Sequence, residues 1–287
     1  VLALASSIYG RCVEWGLVES NPAHGIRRNP EKSRDRFLQS SELPRFFMAL
    51  AEEPNPTVRD YFLLSLLTGA RRSNVLAMRW PEVSLDEAVW RIPDTKNGTP
   101  QNVPLLPEAI EILKARKAAN EKDKEKRSAY VLPSYGVSGH LKEPKKGWQR
   151  IFDRDELRQL IRLVQEAGGK FVALKDADGN DAETLTAALD RVRAMAAKLK
   201  IDTAGTRIPD LRIHDLRRTL GSWQAKTGAS LAIIGKSLNH KNMATTAIYA
   251  RLDIDPVRES MARATSAMLV AAGVNKPAKV VKLATTS

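Results

Sequence analysis

Between Val83 and Leu105 the hydrophobic repeat shifts from the 3.6-residue spacing of helices to the two-residue spacing of strands. Three short strand signals stand there: Val83-Ser84-Leu85, Val89-Trp90-Arg91-Ile92 and Asn102-Val103-Pro104-Leu105. Asp86-Glu87 and Lys96-Asn97-Gly98-Thr99 supply the turns, and Asn-Gly is a strong hairpin signal because both residues tolerate positive φ. Pro104 has no N–H to give a second neighbour, so its strand belongs at an edge. The rest of the chain reads as helix and loop. The fold class that follows is mainly α (α+β): helices with one small three-stranded antiparallel sheet.

Residues 1–18 place Leu4, Ile8, Cys12 and Trp15 at helical spacing and stop at Glu19-Ser20-Asn21-Pro22. One amphipathic helix cannot bury its own face. Residues 1–26 are therefore expected either to pack on the main body or to be the last helix of a truncated preceding domain. A basic linker follows over 27–39, with Arg27, Arg28, Lys32, Arg34 and Arg36. Ser40 or Ser41 is expected to cap a helix to about Glu53, with Pro44 tolerated in the first turn. Helices over Pro56 to Leu67 and through Val75, Leu76 and Met78 precede the sheet. A Lys- and Glu-rich helix from Pro107 to about Asn120, the buried segment Tyr130-Val131-Leu132 and a helix marked by Trp148, Ile151 and Phe152 come after it.

The stretch 154–205 is predicted to be a helical insertion: a helix near 155–167, Gly168-Gly169, a turn at Asp176 to Asn180, and a helix near 182–199. Helices from His214 to Lys226, Ser230 to Leu238, Ala244 to Arg251 and Pro256 to Ala271 complete the chain. One domain over 40–272 is expected, ending in a flexible basic tail at 273–287.

The chain has 287 residues and a net charge of +13, which points to a polyanionic partner, most often nucleic acid. That charge lies wholly outside 154–205, where nine basic and nine acidic residues cancel. Hydrophobic residues at 43% exclude disorder of the whole chain. The apolar runs fall short of the ~18 residues of a membrane span and the start lacks a signal-peptide pattern, so a soluble, intracellular protein is expected. The one cysteine, Cys12, excludes an internal disulfide framework. Asp176-x-Asp178-x-Asn180 begins like a calcium loop, but Asp181 stands where Gly is needed and Ala187 where Glu is needed. Phosphate-cradling glycine loops are missing, and His24, His140, His214 and His240 have no metal-ligand spacing. No cofactor or metal is implied.

A set of polar residues at the starts of apolar helices remains. Arg71 follows Thr68-Gly69-Ala70. His214 and Arg217 sit at i and i+3 on one helical face. His240 precedes Tyr249 by nine residues, and Lys96 sits at the hairpin tip. Singly, each has an ordinary explanation: a surface charge, a turn lysine, a helix-start histidine, a half-buried aromatic. Together they offer the two arginines, two histidines, lysine and tyrosine that metal-free attack on a phosphodiester requires.

Their order and spacing resemble the tyrosine recombinase family, also called phage integrases, over nearly all of the chain outside 154–205. Thr68-Gly69-Ala70-Arg71-Arg72-Ser73-Asn74 is similar to the first-arginine box, Thr95-Lys96-Asn97 to the lysine hairpin, and His214-Asp215-Leu216-Arg217-Arg218-Thr219 to the His-x-x-Arg box. Leu238-Asn239-His240-Lys241 is similar to the third box, and Tyr249 stands at the nucleophile position. Asn21-Pro22, the basic linker and Phe37 to Leu43 resemble the junction between core-binding and catalytic domains. Asn74 departs from the usual acidic residue, and the insertion lengthens the gap before His214. Asn239 replaces the usual Gly, a mild change because Asn tolerates left-handed backbone.

The resemblance implies a helical catalytic domain of tyrosine-recombinase type and a site-specific recombinase or integrase that integrates or excises a mobile element. It implies catalytic roles for Arg71, Lys96, His214, Arg217, His240 and Tyr249, through a 3′-phosphotyrosine intermediate. The implied partners are double-stranded DNA, a homotetramer on DNA that is monomeric without it, and accessory DNA-bending proteins. A neighbour is expected to receive the last helix by the face Val257, Met261, Ala264 and Met268, unless that helix closes its own core. A cytoplasmic, nucleoid-associated location in a prokaryote is implied, with no membrane contact. Two other readings fit the same residues: a DNA-binding regulator weakened in catalysis, and a type IB topoisomerase.

Overall fold

The strand signals form a three-stranded antiparallel sheet in the order β1 (Val83–Ser84), β2 (Val89–Ile92) and β3 (Gln101–Pro104). Trp90 pairs with Val83 on one side and with Val103 on the other. Trp90, Ile92, Gln101 and Val103 are buried while Arg91, Asn102 and Pro104 are exposed, the alternation of a sheet with one face on a core. Pro104 falls on an edge strand, as its missing N–H requires.

The computed structural model describes residues 1–27, 29, 34–95, 98–122, 127–173, 183–251 and 255–271. Lys96 and Asn97 at the hairpin tip, the turn at 176–180 and the tail from Gly273 lie outside the described residues. Two compact units divide the chain, Val1–Arg34 and Asp35–Ser287. In the first, α1 (Leu2–Glu14) is followed by a loop that Asn21 ties back through a bond from its Nδ2 to the Ser6 carbonyl at 2.9 Å. Leu4, Ile8 and Trp15 are exposed.

In the second unit, α2 (Leu43–Ala51) starts one residue later than a Ser41 cap, and two later than a Ser40 cap, would place it. Its N-cap is Glu42, whose side chain makes no cap bond. That carboxylate is used elsewhere, accepting from Arg36 Nη1 at 2.8 Å and from the Gln39 amide at 2.9 Å. Pro44 falls in the first turn as expected. Asn55 caps α3 (Pro56–Thr68), its Oδ1 accepting from Thr57 and Val58. α4 (Arg72–Leu76) stops before Met78, which the sequence had placed within it. There the backbone pairs instead with the segment at 129–131: Val131 N–H donates to Met78 at 2.9 Å and Trp80 N–H to Ala129 at 3.0 Å. A 3-10 turn at Trp80–Glu82 leads to the sheet and then to α5 (Pro107–Lys122).

α6 (Lys145–Glu166) is one continuous helix of 22 residues, where the sequence suggested a break near 154. With α7 (Leu185–Lys198) it forms a hairpin holding its own core of Leu160, Val164, Leu189, Val192 and Ala196. Four of those side chains are Leu or Val, each of which contributes about 1.5–3 kcal/mol when fully buried. The main core, from Leu38 through Phe46, Tyr61, Phe62, Trp90, Leu113 and Ile151 to Leu216, lies between α2, α3, the sheet and the base of α6.

The base of α6 also holds the segment that leads to His214. Asp155, fully buried, accepts from Arg45 Nε and Nη2, both at 2.8 Å, and from the Ile208 amide at 3.1 Å. Arg45 further donates to the carbonyls of Gly205 at 3.0 Å and Thr206 at 2.7 Å. Trp148 Nε1 donates to Leu211 and Arg36 to Pro209. α8 (Asp215–Lys226), α9 (Leu231–Ser237), α10 (Met243–Thr246), a 3-10 segment (Ala247–Arg251) and α11 (Asp255–Ala271) follow. No described helix is long and apolar enough to cross a membrane.

Candidate active site

α3 ends at Gly69 in the left-handed region, φ +58° and ψ 13°. A Cβ there would also stand 2.7 Å from Leu220 Cδ2 and 2.9 Å from Leu238 Cδ2, so glycine is needed for both conformation and space. The turn buries Ala70 and leaves Arg71 extended at the N-cap of α4. Arg71 Nη2 donates to the Asn239 carbonyl at 2.9 Å. Its Nη1 is buried and finds no partner among the described residues. Burial lowers its pKa from the ordinary arginine value.

α8 begins beside the buried carboxylate of Asp215, which accepts from the Arg212 amide and from Arg218 Nη1, each at 2.8 Å. His214 is the N-cap, so Arg217 comes one turn later on the same face. Arg217 is 5% exposed. Its Nη1 donates to the Gly69 carbonyl at 2.5 Å and its Nη2 to the Leu238 carbonyl. The planar fork thus joins the end of α3 to the end of α9. Burial, then the nearby Arg71 charge, pull Arg217 down to about 10, which leaves it charged at neutral pH.

Ser230 caps α9 through its Oγ, which accepts from the Ile233 amide. The helix closes on Asn239 at φ +49°, the left-handed conformation expected of a residue standing in for glycine. That turn brings His240 back, with its amide bonded to Gly235 at 2.9 Å and its Nδ1 2.9 Å from Thr246 Oγ1. Burial, followed by the charges of Arg217 and Arg71, pushes the His240 pKa down to about 4.

Tyr249 lies on the 3-10 segment, 3% exposed. Its ring is parallel to that of His240 within 3°, with centroids 6.3 Å apart. It packs with Ile234 and Leu238 and lies against Gly221, where a Cβ would stand 2.6 Å from Tyr249 Cζ. Burial raises its pKa, and the charges of Arg217 and Arg218 act in the opposite direction. At neutral pH the phenol holds its proton. His214 is exposed at the mouth of the site, yet its ring is sufficiently desolvated, and near enough to Arg217 and Arg218, that its pKa is lowered.

Five of the six residues singled out in the sequence are therefore described, and they belong to one neighbourhood built by α3, α8, α9 and the 3-10 segment. Lys96 lies outside the described residues. Beside them opens a cleft of about 660 Å³, lined in part by Arg71, Arg72, His140, Lys142, Glu143 and His214. Arg72 Nη2 donates to Glu143 Oε1 at 2.8 Å and to the Lys142 carbonyl at 3.1 Å. The sequence reading missed His140, Lys142 and Thr246. His140 and Lys142 lie in irregular chain with no period to flag them, and Thr246 reads as an ordinary helix residue. Among the described residues no three His, Cys, Asp or Glu side chains gather as a metal site. Two guanidiniums, two neutral imidazoles and a protonated phenol together suit a multi-oxygen anion and a proton transfer.

The family model for the phage integrase family matches residues 36–255. A shufflon-specific DNA recombinase of Escherichia coli is 40% identical over 109 residues, 36% of this chain and 27% of that protein. Prophage integrase IntF of Escherichia coli strain K12 is 32% identical over 123 residues, 43% of this chain and 26% of that protein. The chain thus spans about a quarter of the length of these two relatives. The fold is shared with a lambda integrase dimer bound to a COC′ core site: TM-score 0.50 and 15% identity, covering 86% of this chain and 57% of that one. A match that runs from the junction segment through Tyr249, over more than half of the sequence, means that this chain belongs to the phage integrase family.

Proposed function

We propose that the chain is the catalytic portion of a site-specific DNA recombinase that breaks and rejoins strands through a 3′-phosphotyrosine intermediate. The observation that carries this reading is the bonding of Arg71 and Arg217 to Asn239, Leu238 and Gly69, which ties three separate motif segments around the Tyr249 ring. The DNA-bound state of the lambda integrase relative agrees with a DNA substrate here.

In this mechanism the Tyr249 oxygen attacks the scissile phosphorus in line with the departing 5′-oxygen. The phenolic proton passes to His214, whose lowered pKa keeps it unprotonated and able to accept. Arg71 and Arg217 grip non-bridging oxygens as charge builds in the five-coordinate state; Arg71 Nη1 has a donor free among the described residues for this purpose. His240 donates a further hydrogen bond. Lys96 gives a proton to the 5′-oxygen as the P–O5′ bond breaks. The phosphotyrosyl bond retains the energy of the bond it replaced, so a 5′-hydroxyl of another strand reverses the reaction without ATP. The working unit is a tetramer on two duplexes, with α11 passed to a neighbour; Met261 and Met268 on that helix are exposed. Integration or excision of a mobile element is the biological outcome.

A weakened regulator is the second reading, and one observation favours it. Asn74, where the family usually carries an acid, buries an Nδ2 that finds no partner among the described residues. A nicked suicide duplex carrying the cognate site separates the readings. The recombinase forms a covalent protein–DNA adduct and joins two sites, and Tyr249→Phe forms none. No adduct from the wild type supports the regulator, and relaxation of site-free plasmid without joining supports a topoisomerase.

A further inference from the structure

Thr246 comes three residues before Tyr249 and belongs to none of the residues assigned a role above. It is fully buried, and its Oγ1 lies 2.9 Å from His240 Nδ1. The sharp turn at Asn242, whose Oδ1 accepts from the Ala244 amide at 2.8 Å, starts the short α10 that carries Thr246 back to His240. A neutral imidazole has one N–H and one bare nitrogen, and the partner of one nitrogen decides the state of the other. If the threonine hydroxyl donates, Nδ1 is bare and Nε2 carries the hydrogen. If Nδ1–H donates to threonine, Nε2 presents a lone pair. Arg217 and Arg71 stand close enough for their charges to act on this ring, so it borders the neighbourhood where a phosphate would sit. A lone pair there would repel a phosphate oxygen, while an N–H would bind it.

We propose that Thr246 is a positioning residue that donates its hydroxyl hydrogen to His240 Nδ1 and so fixes the Nε2–H tautomer, the form able to donate to a non-bridging phosphate oxygen. This rests on the recombinase reading for its purpose, though not for its geometry. The low pKa of His240 agrees with it, because a ring that stays neutral at pH 7 has only one hydrogen to place. The hydroxyl is also the one feature that separates Thr246 from an isosteric valine.

Ring-nitrogen NMR of the ¹⁵N-histidine-labelled full chain at neutral pH, without DNA, reads the tautomer directly; loss of one ring signal set in His240→Gln assigns it. The wild type and Thr246→Ser are expected to show hydrogen on Nε2 and a bare Nδ1, and Thr246→Val a mixture of both forms. Single-turnover adduct formation is expected to fall about tenfold to a hundredfold in Thr246→Val. Thr246→Ser should restore it, and DNA affinity should stay within about twofold in both variants. In His240→Gln, adding Thr246→Val should cause no further loss, since the two residues act as one unit. Hydrogen on Nδ1 in the wild type, or an unchanged tautomer in Thr246→Val, overturns the proposal. The wild-type spectrum decides even if the valine variant does not fold. A correct tautomer with no adduct from the wild type overturns the recombinase reading alone; an adduct with the wrong tautomer overturns the Thr246 assignment alone.

Discussion

Arg217 does two jobs with one guanidinium. It closes the ends of α3 and α9 against each other through the Gly69 and Leu238 carbonyls, and it holds a fixed positive charge beside Tyr249. A lysine has no planar fork and cannot hold both carbonyls while facing a phosphate. Arg217→Lys is therefore expected to lower single-turnover cleavage by about a hundredfold to a thousandfold, with DNA affinity nearly unchanged; a loss below about tenfold would show that the fork is dispensable. His240 makes a different demand. Its folded pKa, about 4, lies below the ordinary histidine value of 6.5, so between those values the unfolded chain binds more protons than the folded one. Stability due to this residue is intact above about pH 6.5 and is lost as pH falls towards 4. The upper bound is about 3 kcal/mol from the size of the shift, reduced because the ring is only half-buried. Denaturant melts of the wild type and His240→Gln across pH 7.5 to 4.5 check this, and the variant should show the flatter decline. His214 and Arg217 were legible as a pair because i and i+3 fall on one helical face, and Asn239 was legible because asparagine can replace glycine at positive φ. Thr246 was not, because its partner is chosen by a turn that no local propensity records.

The strap at 205–211 shows how a helix far from the chemistry sets the approach to His214. Buried Asp155 on α6 bonds Arg45 on α2 and the Ile208 amide, while Arg45 holds the Gly205 and Thr206 carbonyls. Nearby, burial opposes the charge of Glu53, but its bonds from Arg150 and Arg154 prevail and hold its pKa below the usual value. Asp155→Ala leaves Arg45 without its carboxylate partner and should cost about 3–5 kcal/mol, read as a lower denaturant midpoint at unchanged slope. A loss under about 1 kcal/mol would mean the strap is held by its other bonds. The sequence marked the strands, the turns and most helix starts, since period and capping chemistry are local. It misjudged α6, where the change in composition near 154 looked like a boundary although the helix runs through it. Counting nine acids against nine bases in 154–205 also hid that Asp155 and Glu156 point inward, because the partners Arg45 and Arg207 are far away in sequence.

The distribution of charge sets what the chain does with a polyanion. The net +13 lies outside residues 154–205, so phosphate contacts should come from the body around the cleft. Each contact adds about 0.9 to the slope of log affinity against log salt. Lys142→Ala should reduce that slope by about one, whereas Arg162→Ala with Lys198→Ala on the hairpin should leave it unchanged. Equal effects from both would place DNA on the hairpin instead. The boxes for arginine, histidine and tyrosine were readable before any coordinates because their order is specific, whereas the cleft wall at His140 and Lys142 exists only once the chain is folded. The most direct test of the account is mass spectrometry of the wild-type protein trapped on a nicked duplex carrying its site. A peptide containing Tyr249 linked to a 3′-phosphate is predicted, with the linkage lost in Tyr249→Phe. A nucleotide attached to any other residue, or an adduct that persists in that variant, would overturn it.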